Sequence, residues 1–341
     1  MSSRNSVAVS DPLLLSAMPS AHDLRSPLLD VRDLQVQYMT PRGPVRAVDG
    51  VSFSIAPGEV FGLAGESGSG KSTIAHAMMR LLHPPAVITG GQVLFGGNDV
   101  LEMEDDELSS FRWSQVSMVF QSAMNSLNPV ITIGDQICDV IIRHLKLSKK
   151  EARDRAAYLL DLVGIEKQRI DSYPHELSGG MRQRVVIAIA LALNPPLMIM
   201  DEPTTALDVV VQKEIMQQIE KLKEKMGFSI LFITHDLSLM VEFSDRIGVM
   251  YAGEIVELTS AQELFKNPMH PYTQGLMNSF PSITGPKVKL TGIPGAPPDM
   301  VCPPSGCRFH PRCAKVQPRH TQEEPRLREV APGHFVACHL Y

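Results

Sequence analysis

Three short apolar runs frame this chain. Val60-Phe61-Gly62-Leu63-Ala64, Leu197-Met198-Ile199-Met200 and Ile230-Leu231-Phe232-Ile233 each give way abruptly to polar or glycine-rich sequence. Runs this short, without polar alternation, fit strands buried on both faces of a parallel sheet. Between them the period changes. Thr73-Ile74-Ala75-His76-Ala77-Met78-Met79 starts a helix, and residues 147–163 place Ser148 as a cap ahead of helically spaced apolar positions. A further apolar helix opens after Leu177-Ser178-Gly179-Gly180-Met181-Arg182-Gln183-Arg184. Strands followed by helices predict an α/β protein. No apolar run approaches the roughly 18 residues of a membrane span. The best stretch, 185–200, is broken by Asn194-Pro195-Pro196, so the chain is expected not to cross a membrane.

Chemistry sits where the strands end. The first run leads into Gly65-Glu66-Ser67-Gly68-Ser69-Gly70-Lys71-Ser72-Thr73, a full G-x-x-x-x-G-K-[ST] match. Glycines let backbone N–H groups turn inward around phosphate oxygens, and the helix start adds partial positive charge. Lys71 would reach the β- and γ-phosphates, and the Ser72 hydroxyl would ligate Mg²⁺. The second run ends in Asp201-Glu202. Asp201 would hold Mg²⁺ through water, and Glu202 would act as general base on the attacking water. The third delivers His235-Asp236, with His235 as a γ-phosphate sensor. One nucleotide needs only one such loop. The second Gly-rich helix start, at 177–181, lies too far along the chain to join the first, and suggests a protein that closes over ATP from two sides.

In this order the motifs resemble the nucleotide-binding subunit of an ABC transporter. Residues 65–73 match its Walker A segment, 177–181 its LSGG signature and 197–202 its Walker B strand with the glutamate. Gln121 in Val119-Phe120-Gln121 matches the Q-loop, Ala206-Leu207-Asp208 the D-loop and His235 the switch histidine. The resemblance covers residues 28–262. It implies a P-loop NTPase (RecA-like) cassette with an inserted helical subdomain at about 122–184. It also implies that Tyr38 stacks on adenine, where a plain strand tyrosine is the other reading. Gln121 would couple the Mg²⁺ site to that subdomain, and Ser178, Gly179 and Gly180 would meet the γ-phosphate held by an opposite cassette. Residues 120–129 and 181–190 are similar to the oligopeptide/dipeptide importer branch, as are 267–273 and 306–313 in the tail. The methionine-bearing signature resembles the D-type member of that branch's D/F pair of ATPases.

Composition then divides the chain. Half of its 26 prolines and four of its five cysteines lie beyond residue 262. That shift predicts a loop-rich C-terminal extension at 263–341, while Ser/Pro-punctuated residues 1–27 read as a flexible N-terminal extension. With 32 basic against 37 acidic side chains the formal net charge is −5, which does not favour nucleic acid. No secretory signal is evident, so the cytoplasmic face of the inner or plasma membrane is the expected location. The tail cysteines are either unpaired thiols or a metal site that staples a segment with little core. In the importer branch comparable tails carry four cysteines suited to a [4Fe–4S] cluster. Cys307, Cys313 and Cys338 match three of these and His320 falls at the fourth, with Cys302 as the alternative ligand and zinc as the alternative metal.

The resemblance implies an ATPase that drives peptide uptake through two separate permease subunits fed by an extracytoplasmic binding protein. It would be paired with a second, F-type cassette, a homodimer being the other option. An oligosaccharide or nickel-chelate cargo is the alternative within the branch. A DNA-repair or chromosome-organising ATPase would need a long coiled coil between Walker A and the signature. Residues 74–176 carry no sustained heptads.

Overall fold

All three apolar runs become strands of one sheet. The computed structural model describes residues 26–121, 126–205, 207–279 and 292–341. In chain order the strands are β1 Leu29–Thr40, β2 Gly43–Ile55, β3 Val60–Ala64, β4 Ala86–Phe95, β5 Asn98–Asp99, β6 Val116–Val119, β7 Leu197–Asp201, β8 Ser229–Ile233, β9 Arg246–Tyr251, β10 Glu254–Ser260, β11 Arg328–Ala331 and β12 His334–Val336. The larger sheet runs β11-β12-β10-β9-β3-β8-β7-β6, and its span from β9 to β6 is parallel. A smaller antiparallel sheet runs β2-β1-β4-β5.

The continuous apolar runs have a simple cause. Every residue of β3, β7 and β8 is buried, and alternate residues serve two different cores. Val60, Met198, Met200, Ile230 and Phe232 face one core, which they share with the helices Ile133–Leu145, Lys149–Leu162 and Gly179–Ala190. Phe61, Leu63, Leu197, Ile199, Leu231 and Ile233 face the other, with helix Lys71–Met78 and the apolar side of the antiparallel sheet. Strand side chains alternate faces, so a strand between two cores must be apolar at every position. Helix Lys149–Leu162 begins where the spacing predicts. Ser148 accepts from the Glu151 N–H and Glu151 reaches back to the Ser148 N–H, a reciprocal cap. No helix among the described residues is long and apolar enough to cross a membrane. Most of the expected N-terminal extension, Ser122 to Asn125 of the expected Q-loop wording and Ala206 of the expected D-loop lie outside the described residues.

The C-terminal residues dock on the sheet rather than standing apart. β12 pairs with the edge of β10, Glu257 opposite Val336 and Leu258 opposite Phe335. Tyr272 and Phe309 belong to the same core as β7 and β8. A buried polar node ties this seam. The Glu257 carboxylate accepts the backbone N–H of Met269 at 2.7 Å and of His270 at 2.9 Å, and lies 2.7 Å from His334 Nε2. His270 caps helix Pro271–Asn278 by accepting the Tyr272 N–H at Nδ1, 3.0 Å away.

That geometry predicts an acid dependence. Burial pushes His270 from an ordinary 6.5 down to about 3, so the folded chain keeps it neutral while the unfolded chain protonates it. The stability it contributes is present above pH 6.5 and is lost as pH falls from there toward 3. Between pH 7 and 5 this costs about 2 kcal/mol. Burial also raises Glu254 to about 8, which favours the folded chain as pH falls over the same window, so the His270 cost is read as a difference between parent and variant. In urea unfolding at both pH values, His270→Asn, whose amide oxygen can replace Nδ1 as acceptor, should be spared about 2 kcal/mol of the parent's acid cost. An equal change with pH in both proteins would remove His270 as the cause.

Candidate active site

The loop after β3 turns on glycines that no other residue can replace. Gly65 and Gly70 hold φ of +147° and +105°. A Cβ at Gly65 would lie 2.3 Å from the Met250 carbonyl oxygen, and one at Gly70 2.2 Å from that of Ala47. Ser67 and Gly68 are exposed at the tip, while Ser69, Gly70 and Lys71 are buried. Gly70 is the N-cap of helix Lys71–Met78 and offers it no side-chain acceptor, which leaves the first N–H groups of the helix directed into the loop. Lys71 Nζ donates to the carbonyls of Gly65 at 2.8 Å and Glu66 at 2.9 Å, and to Ser69 Oγ at 3.3 Å. Burial lowers its pKa, and the nearby carboxylates of Glu202, Asp201 and Glu66 oppose that shift.

Ser72 Oγ donates to Asp201 Oδ1 at 3.0 Å. Asp201 is almost fully buried at the end of β7, and burial raises its pKa against the pull of Ser72 and His76. A buried carboxylate and a hydroxyl, joined across two elements, form a hard-oxygen set. It fits Mg²⁺, which takes one or two carboxylates and completes its shell with phosphates and water. A bound cation would also relieve the unfavourable burial of the Asp201 charge.

Glu202 gathers the remaining candidates. Its N–H donates to the Ile233 carbonyl at 2.8 Å, which fastens the end of β7 to β8. Its φ of +47° costs roughly 1–3 kcal/mol for a residue with a Cβ. Gln121 Nε2 donates to Glu202 Oε2 at 2.9 Å, Thr205 Oγ1 donates to the same oxygen at 3.0 Å, and His235 Nδ1 lies 3.5 Å from Oε1. Three elements far apart in sequence thus meet on one carboxylate. Thr205 was not a candidate from sequence, because a threonine after Glu-Pro-Thr carries no motif of its own. Tyr38, half-buried on β1, places its hydroxyl 3.3 Å from Thr73 Oγ1, beside the start of the helix that follows the loop.

The second glycine-rich segment stands elsewhere. Ser178 caps helix Gly179–Ala190 by accepting the Met181 N–H. Ser178, Gly179 and Gly180 line a groove of about 640 Å³ with Leu207, Asp208 and Val211. Among the described residues no hydrogen bond joins these three to the 65–73 loop. Asp208 is itself an N-cap, accepting from Val210 and Val211.

The expected tail metal centre, whether [4Fe–4S] or zinc, is overturned. Among the described residues no group of three or more His, Cys, Asp or Glu is arranged to hold a metal ion. Cys302 is exposed, and Cys307 and Cys313 pack as small apolar groups against the shared core. Burial pushes the Cys307 thiol up to about 11 and raises Cys338 as well, so in the metal-free chain these groups are protonated thiols packed like small apolar side chains. His320 Nδ1 serves local structure by accepting the Gln317 N–H at 2.7 Å, while Nε2 is buried with no hydrogen-bond partner among the described residues. The expectation assumed a tail unable to hold itself together. Strand pairing, the Glu257 node and a cluster of Tyr251, Tyr272 and Phe309 do that work instead.

Comparison with known proteins shows the family of the chain. Residues 48–205 match the family described as ABC transporter, and residues 256–319 match the one described as oligopeptide/dipeptide transporter, C-terminal region. The oligopeptide transport ATP-binding protein OppD of Bacillus subtilis is 45% identical over 92% of this chain and 88% of its own length. OppD of Escherichia coli is 43% identical, over 95% of this chain and 96% of its own. Among solved structures, the ATP-binding cassette MJ0796, a dimer in a post-hydrolysis state with ADP and Pi, aligns with a TM-score of 0.61 at 31% identity. That alignment covers 68% of this chain and 98% of the cassette.

Proposed function

The chain belongs to the ATP-binding subunits of the oligopeptide/dipeptide branch of ABC transporters, and we propose that its ATP hydrolysis drives import of short peptides through separate membrane-spanning subunits. The observation that carries the ATPase chemistry is the convergence of Gln121, Thr205 and His235 on Glu202, one residue beyond the Ser72–Asp201 pair. Loop residues Gly65, Ser67, Gly68, Gly70 and Thr73 surround the phosphates, Lys71 leaves its loop carbonyls for the β- and γ-oxygens, and Tyr38 stacks on the adenine. Ser72 and Asp201 would hold Mg²⁺, with Gln121, which donates to the neighbouring Glu202, as a third ligand, and the bound ion would supply charge neutralisation on those phosphates. Glu202 takes the proton of the attacking water, Gln121 and Thr205 fix the carboxylate, and His235 stabilises charge on the γ-phosphate.

Two cassettes pair head to tail, with Ser178, Gly179 and Gly180 of one facing the phosphate loop of the other. The signature groove supports this, because it opens beside Val209 and Val210, which are 80% and 68% exposed. An F-type chain is the proposed partner cassette. Val130, 76% exposed ahead of helix Ile133–Leu145, supports docking of a permease helix on the helical subdomain. The working location is then the cytoplasmic face of a membrane, held there by the permeases, with an extracytoplasmic binding protein supplying the cargo.

The cargo is tested in proteoliposomes holding the whole transporter and its binding protein. Di- to oligopeptides should raise ATP turnover above the basal rate. Stimulation by an oligosaccharide or nickel chelate with none by peptides would overturn the cargo and leave the ATPase standing.

A further inference from the structure

Glu66, the second residue of the phosphate loop, has every polar group held, and two of the three by the C-terminal residues. Its N–H donates to Tyr272 Oη at 2.8 Å, and its carbonyl accepts Lys71 Nζ at 2.9 Å. Its carboxylate takes both terminal nitrogens of Arg312, at 2.7 and 2.9 Å. Arg312 is itself fixed from other directions. Its side chain is 4% exposed, Nε donates to the Pro294 carbonyl at 2.9 Å, and the guanidinium lies 5.7 Å from the centre of the Tyr251 ring. Tyr251 ends β9, the neighbour of the strand that feeds the loop, and its ring packs 4.6 Å from that of Tyr272. The contact therefore joins a rigid aromatic platform to the loop and leaves little slack.

A carboxylate in a phosphate loop opposes a polyanion. A bidentate guanidinium cancels that charge and fixes its direction, which a lysine does less well. Arg312 is buried and Glu66 is 27% exposed, so removing the arginine leaves beside the phosphates a carboxylate that solvent only partly screens.

We propose that Arg312 is a positioning residue for ATP, through which the C-terminal region neutralises Glu66 and sets the shape of the phosphate loop. This rests on residues 65–73 binding the triphosphate. It gives the region beyond residue 262 a part in nucleotide affinity that no cassette motif supplies.

The test is the dissociation constant of MgATP for the full chain, by displacement of a fluorescent ATP analogue, with KM and kcat in the assembled transporter. Arg312→Ala should weaken binding and raise KM about tenfold, with kcat changed less than about threefold. Arg312→Lys should fall between. Adding Glu66→Gln to Arg312→Ala should restore most of the affinity, because the liberated charge is gone. A merely structural Arg312 would lower the thermal midpoint in the single and double variants alike and show no such rescue. MgATP affinity within twofold of the parent in Arg312→Ala, or equal weakening with and without Glu66→Gln, overturns the proposal. If Arg312→Ala does not fold, Arg312→Lys with and without Glu66→Gln carries the same comparison. Lys71→Ala is the control on the premise. If it binds MgATP like the parent, the loop assignment fails rather than the clamp.

Discussion

Glu202→Gln will keep MgATP binding close to the parent level while turnover falls about 10²–10⁴-fold, the usual contribution of a positioned general base. That loss corresponds to roughly 3–5 kcal/mol on the barrier. An amide oxygen at position 202 can still accept from Gln121 Nε2 and Thr205 Oγ1, which both reach the same carboxylate oxygen now. The turn is set by the backbone bond from the residue 202 N–H to the Ile233 carbonyl, which the substitution leaves alone. Shape is therefore preserved and only the capacity to take a proton is removed. The check pairs nucleotide binding with steady-state phosphate release from the assembled transporter. Parental turnover would remove Glu202 as the base. Loss of binding together with turnover would mean that Glu202 shapes the pocket rather than acting on water.

What the sequence made legible follows from how each feature is encoded. β3, β7 and β8 could be read because a strand between two cores must be apolar throughout, which is a local signature. The phosphate loop could be read because glycine and lysine are required at fixed spacing. β1 and β2 left a weaker trace. Their pairing breaks register between Val31 and Leu34 and again before Val36, and bulges of that kind scramble strict alternation. The tail misled in an instructive way. Clustered cysteines with many prolines read as a segment needing a metal staple. Its actual support is long-range, with Arg312 on Glu66, β12 on β10 and His334 on Glu257. Arg312 and Glu66 are 246 positions apart, and no spacing rule reaches that far. Thr205 escaped notice for a different reason: it is only three residues from Glu202, but no motif marks it and only the folded turn brings its hydroxyl onto the carboxylate.

Ser178→Arg should leave MgATP binding to the chain's own loop within about twofold of the parent and lower transporter turnover at least about a hundredfold, the scale set by losing an oxyanion-type donor at a transferring phosphoryl group. The reason is positional. Ser178 lies in a groove with Leu207, Asp208 and Val211, and makes no hydrogen bond to the 65–73 loop among the described residues. A side chain there is expected to leave the phosphates of its own chain alone, yet it would stand where an opposing cassette brings its γ-phosphate. Arginine adds bulk at a helix N-terminus whose next residues are glycines. One of these, Gly180, is already so close to helix Val209–Met226 that a Cβ would lie 2.7 Å from Val211 Cγ1, so the helix cannot retreat to make room. The added cation also removes the hydroxyl that caps the helix, a loss of about 1 kcal/mol that local fraying can absorb without unfolding the core. Two measurements separate the outcomes. ATP-dependent association of cassettes, followed by light scattering on the hydrolysis-deficient Glu202→Gln background, should vanish with Ser178→Arg, while nucleotide binding persists. Undiminished association would overturn the head-to-tail arrangement. Loss of nucleotide binding in the isolated chain would show instead that the signature segment acts on its own phosphate loop.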